Sequence, residues 1–198
     1  MCSRANPPVR RIRFTGAIWL ALLPFVLCVF ATGPSRAADF ELLSVGVRAR
    51  VGEKRVLGTV QPESFREYDV VTTMRLPWEE QFPAGWGVGA RLLASAGVLQ
   101  GADKTALVGS LIPVLAIGTR DGRFTLDLGV GLALLSRHRY AQQDYGGPLQ
   151  FALTLGLSVP LYERVGLGYR FLHYSDAGAY GHGTIGADFH MIELNYRF

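Results

Sequence analysis

The chain has 198 residues, with 20 Lys and Arg against 16 Asp and Glu, and two cysteines. Five of the basic residues (Arg4, Arg10, Arg11, Arg13, Arg36) and both cysteines (Cys2, Cys28) precede Asp39, whereas none of the acidic residues does. From Asp39 onward 15 basic residues face 16 acidic ones, which excludes nucleic-acid binding on net charge and leaves no thiol for a disulfide or a cysteine metal site.

Residues 1–37 read as a secretory signal peptide. A basic Arg10-Arg11-Ile12-Arg13 leads into an apolar run at 17–31 and a small-residue site, Ser35-Arg36-Ala37, with cleavage after Ala37 or Ala38. The apolar run is short for a transmembrane helix and contains Pro24. Cys28 follows Val26-Leu27 and lacks the small neighbour of a lipoprotein site. Residues 38–198 read as one domain.

That domain is a series of period-two segments separated by turn residues. Val45, Val47, Ala49 and Val51 alternate with polar residues and glycine. Strands follow near 66–76, 86–99 and 104–118; the last is apolar on both faces and contains Pro113, so its register is not fixed by pattern. Phe124, Leu126, Leu128, Val130, Leu132 and Leu134 form the clearest row, and Leu149, Phe151, Leu153, Leu155, Leu157 and Val159 form the next. Val165, Leu167, Tyr169 and Phe171 repeat it, as do Ile192, Leu194, Tyr196 and Phe198. Eight strands result.

Either a soluble sandwich with one wet face or a membrane barrel gives such alternation. Segment lengths suited to crossing a bilayer favour the barrel, as does an opposing face rich in Gly, Ala, Ser and Thr. So does an aromatic ending, Phe198, resembling the strand by which outer-membrane proteins are recognised for assembly. The expected fold is therefore all-β, an eight-stranded antiparallel transmembrane β-barrel of the outer membrane, closed because lipid tolerates no unpaired edge. With both termini periplasmic, 52–65, 136–147 and 177–186 become outer connections. The segment 100–104 is short for such a place, and 77–84 is long for a periplasmic turn.

In the strand from Val165 the outward row continues to His173 and Ser175; in the last strand it continues back to His190 and Asp188. Residues i and i+2 of a strand share a face about 6.5 Å apart. Serine, histidine and aspartate thus meet on the lipid-facing side, at the outer-leaflet end. These types permit acyl transfer, with Ser175 as nucleophile, His173 as general base and Asp188 holding the imidazole. A substrate meeting this wall is a lipid, and lipopolysaccharide fills the outer leaflet. The same residues also fit a polar girdle that merely ends two strands. His182 and His190 beside His173 read as interfacial polar residues, not a metal site. Arg137-His138-Arg139 reads as a solvated loop, with contact to lipid phosphates as the alternative.

His173-Tyr174-Ser175-Asp176-Ala177-Gly178 resembles the His-x-Ser-Asn-Ala segment of the PagL-type lipid A 3-O-deacylases, which are outer-membrane serine esterases. Gly186-Ala187-Asp188 sits where that family has its acidic residue, and 193–198 is similar to its last strand. The resemblance implies hydrolysis of the ester-linked 3-hydroxyacyl chain of lipid A by Ser175, His173 and Asp188, with no cofactor and no metal. Its partners would be lipopolysaccharide and the outer membrane, with a homodimer as one allowed assembly. Two departures stand out. Asp188 replaces the usual glutamate, and Asp176 replaces an asparagine of the oxyanion hole. An ionised carboxylate cannot donate a hydrogen bond, so the backbone N–H groups of Ala177 and Gly178 would have to serve beside Asp176. The competing class is a structural or small-solute barrel without catalysis.

Overall fold

The computed structural model describes residues 40–57, 61–181 and 184–198. The expected signal peptide, its cysteines and His182 lie outside the described residues. In chain order the strands are β1 (Glu41–Gly52), β2 (Phe65–Gln81), β3 (Trp86–Gly101), β4 (Lys104–Thr119), β5 (Thr125–Leu135), β6 (Arg139–Tyr140), β7 (Gln143–Asp144), β8 (Leu149–Tyr162), β9 (Val165–Ser175) and β10 (Ala187–Arg197). Eight close into an antiparallel barrel in the order β1-β10-β9-β8-β5-β4-β3-β2. Pairing of β1 with β10, Val47 opposite Leu194, removes the last open edge. The extra pair, β6 and β7, is a miniature hairpin inside the 136–148 connection.

Alternation decides which side each residue faces. On β5, Leu126, Leu128, Leu132 and Leu134 are exposed on the outer wall while Asp127, Ala133 and Leu135 are buried inside. The ambiguous β4 resolves the same way, with Leu107, Leu111, Leu115 and Ile117 outward and Val108, Ser110, Ile112 and Val114 inward. Both rows are apolar because this strand passes an apolar level of the lumen. Pro113 falls where pairing with β5 is interrupted between Leu111 and Val114, so its missing N–H falls in a gap in the ladder.

Two connections differ from expectation. β2 runs past Pro77 to Gln81, with a register shift between Arg75 and Glu79, so most of 77–84 is strand and the turn is tight. At the other end β3 and β4 join through Ala102 and Asp103, with φ of 47° and 56°. That is the two-residue hairpin whose both central residues take positive φ, and it allows a short connection there.

The lumen is filled at two levels. Midway, Arg48 grips Asp69 through two hydrogen bonds of 2.7 and 2.8 Å. Arg170 similarly grips Asp127 at 2.6 and 3.0 Å, with Glu193 at 3.6 Å. Toward the end opposite the termini, Tyr174 donates to Glu67 at 3.0 Å, and Leu99, Leu172, Met191, Phe189, Phe65 and Tyr140 close the bore. Phe65 and Tyr140 meet edge to face at 5.0 Å. A cavity of about 370 Å³ lies at the terminal end, lined by Asp127, Arg170, Arg197 and Phe198 among others. A side-chain-packed core of this kind suits a scaffold whose working surface is its wall.

Candidate active site

His173 and Asp188 are directly opposite each other in the β9–β10 ladder. Their side chains stand on the outer row, one step beyond Phe171 and His190, and His173 Nδ1 lies 2.6 Å from Asp188 Oδ1. An ionised carboxylate can only accept, so Nδ1 carries the hydrogen and Nε2 keeps a lone pair. Both residues are buried, at 6% and 1% exposure, although their neighbours down the same rows face outward.

The cover is the 52–57 segment. A register shift between Arg50 and Gly52 in the β1–β10 pairing turns the chain back across β10. There Asp188 Oδ2 accepts the consecutive N–H groups of Val56 and Leu57 at 2.6 and 2.7 Å. Gln61 Oε1 accepts the Asp188 N–H at 3.3 Å. Arg50 donates to the carbonyls of Gly52, Phe65 and Asp188, tying both ends of the 52–65 connection to β10. The four contacts made to Asp188 itself by Arg50, Val56, Leu57 and Gln61 were not evident from the sequence, because each spans more than 120 residues.

Ser175 ends β9, partly exposed, opposite Phe151. Among the described residues no hydrogen bond joins it to His173; the two share a face beside Gly186. A methyl group added at Gly186 would lie 3.0 Å from His173 Cε1 and 3.2 Å from Ser175 Cβ. The structure therefore forms the His173–Asp188 pair and leaves Ser175 adjacent, a spacing that tightens in many enzymes once substrate is bound.

Asp176 turns away into its own loop. Its Oδ1 accepts the Gly178 N–H (3.1 Å) and the Thr184 hydroxyl (2.8 Å), and its Oδ2 accepts the Tyr180 N–H (3.0 Å). Asp176 and Gly178 are thus committed to each other. Of the three expected oxyanion-hole residues, Gly178 has its N–H committed inside this turn, whereas those of Asp176 and Ala177 make no hydrogen bond within it among the described residues. Ala177 and Gly178 hold φ of 51° and 85°, a left-handed pair that orients successive N–H groups alike.

The β6–β7 hairpin braces the same loop. Gln143, fully buried, donates through Nε2 to the carbonyls of Ile185 (2.5 Å) and Gly186 (3.4 Å), and the Ile185 N–H returns to the Asp144 carbonyl at 2.9 Å. Two members of the 137–139 triplet close this hairpin, since Arg139 and His138 both reach Asp144. Partial burial opposes the charge on Asp144, but the Gly146 N–H, Arg139 and His138 outweigh it and hold the carboxyl below its ordinary value. His190, two residues past Asp188, has Nδ1 at 2.5 Å from the Tyr169 hydroxyl and Nε2 at 2.5 Å from the Lys54 carbonyl.

Three comparisons bear on this arrangement. The family model "Lipid A 3-O-deacylase (PagL)" matches residues 66–197, two thirds of the chain. The chain is 29% identical over 126 residues to "Lipid A deacylase PagL" of Bordetella bronchiseptica, an alignment covering 61% of this chain and 70% of that one. The crystal structure of the outer membrane enzyme PagL superposes with a TM-score of 0.63 at 18% identity, covering 78% of this chain and 99% of that chain.

Proposed function

This chain belongs to the lipid A 3-O-deacylase family and is an outer-membrane β-barrel; from that premise we propose that it hydrolyses the ester-linked 3-hydroxyacyl chain of lipid A in the outer leaflet. Export to that membrane is the role assigned to the signal at 1–37. The observation that carries the reading is the His173–Asp188 pair on the outer row of the barrel wall, covered by the 52–57 segment and separate from the packed lumen.

The chemistry follows from the tautomer. With Nδ1–H donated to Asp188, His173 Nε2 takes the Ser175 proton as Oγ attacks the ester carbonyl. In this reading the Ala177 N–H donates to the oxyanion that develops. The imidazolium then returns its proton to the departing sugar 3-oxygen. Water, activated by the same histidine, hydrolyses the acyl-serine to a free 3-hydroxy fatty acid and restores the serine. Asp188 stabilises the imidazolium throughout.

Mass spectrometry of lipid A from cells with and without the protein tests this. The expected result is loss of one hydroxyacyl mass, abolished in Ser175→Ala. Unchanged lipid A at confirmed outer-membrane expression would sink the reading.

A further inference from the structure

We propose that His190 is a positioning residue for the catalytic acid, acting through the 52–57 segment as a strap that fixes Asp188. The proposal rests on the function assigned above and concerns how its acid is held.

A carboxylate on the lipid-facing row has two problems. It is expensive to keep ionised there, and its two oxygens exchange places freely unless one is fixed. The strap answers both. The consecutive N–H groups of Val56 and Leu57 form an anion-binding pair on Oδ2, which leaves Oδ1 directed at His173 Nδ1. Val56 and Leu57 are 61% and 37% exposed, so burial holds the dipeptide little. Polar contacts hold the segment upstream of it: the Gly52 carbonyl accepts from Arg50, Glu53 accepts from the Ser64 hydroxyl, and the Lys54 carbonyl lies 2.5 Å from His190 Nε2. His190 makes the last of these from the strand that carries Asp188.

His190 is itself held. The Tyr169 hydroxyl lies 2.5 Å from Nδ1, and the ring sits 5.5 Å from that of Phe171. With the hydroxyl donating to Nδ1, Nε2 carries the hydrogen and donates to Lys54. Both ring nitrogens are therefore occupied, and His190 has none to spare for proton transfer. Asp188 and His190 stand on one face of one strand and hold two points of one short segment. The first is orienter of the base, the second anchor of the strap.

The test uses the purified full chain in detergent micelles with ¹⁵N-labelled histidine. In the wild type His173 is expected as the Nδ1–H tautomer, assigned by its absence from His173→Gln. His190→Ala should give a mixture of His173 tautomers and a kcat on lipid A lower by about 10- to 100-fold with KM little changed, the effect of losing alignment and not affinity. His190→Gln, whose amide donates to Lys54 and accepts from Tyr169, should restore both. Heat-modifiable gel mobility reports whether the barrel is folded. Should His190→Ala not fold, Leu57→Pro removes one N–H from Asp188 without touching His190 and should show the same loss. A folded variant of either kind with the wild-type tautomer and kcat overturns the proposal. Failure of the wild type to act on lipid A would overturn the assigned function, while the tautomer still reports on the strap.

Discussion

Asp176 and Asp188 are both buried carboxylates beside the candidate nucleophile, and their partners give them opposite tasks. Asp188 accepts from His173 and two backbone donors. Asp188→Asn keeps the shape but turns one oxygen into a donor, which favours the wrong His173 tautomer or breaks the Val56 and Leu57 contacts. Turnover of lipid A should fall by about 10³- to 10⁴-fold with the barrel intact. Asp176 receives only donors, three of them. An asparagine here could serve as an oxyanion donor only with its amide turned toward Ser175, whereas the Asp176 carboxylate is turned into its own loop. An amide NH₂ would confront either the Gly178 or the Tyr180 N–H, so Asp176→Asn should destabilise the turn by about 1–3 kcal/mol and should not increase kcat. Chemical denaturation followed by an initial-rate assay reads both.

At the scale of elements, what was legible followed period two. β5, β8, β9 and β10 alternate strictly, so their register, and with it the meeting of His173 and Asp188, could be read directly from the residues. β4 could not be read because both its rows are apolar, and β2 was cut short at Pro77 because its bulge rescues a residue that normally ends a strand. The β6–β7 hairpin has two residues in each arm, too few for any period. Nor does anything in Val56-Leu57 announce a carboxylate partner, since its approach depends on a bulge elsewhere. The hairpin nonetheless bears on the site. Gln143→Ala would strand the Ile185 and Gly186 carbonyls and free the backbone that abuts His173 and Ser175. Lipid A turnover should drop about tenfold or more from misalignment while the gel mobility of the folded barrel is retained.

Across the whole molecule, the buried charge pairs and the candidate site occupy different compartments. The buried ion pairs Arg48–Asp69 and Arg170–Asp127 lie in the lumen, whereas His173, Ser175 and Asp188 stand on the wall. Removing charge from a low-dielectric interior is harmless only when it is removed in pairs. Arg170→Met strands both Asp127 and Glu193 and should lower stability by about 3–5 kcal/mol, whereas Arg48→Met combined with Asp69→Leu should be close to neutral. Urea titration of barrels refolded in lipid vesicles, read by gel mobility, separates the two. The folded fraction of Arg170→Met should still deacylate at a rate near wild type, because no link of the His173–Asp188–strap chain passes through Arg170. A proportionate loss of rate in fully folded Arg170→Met would mean that the lumen sets the geometry of the outer wall, and the two compartments would then have to be treated as one.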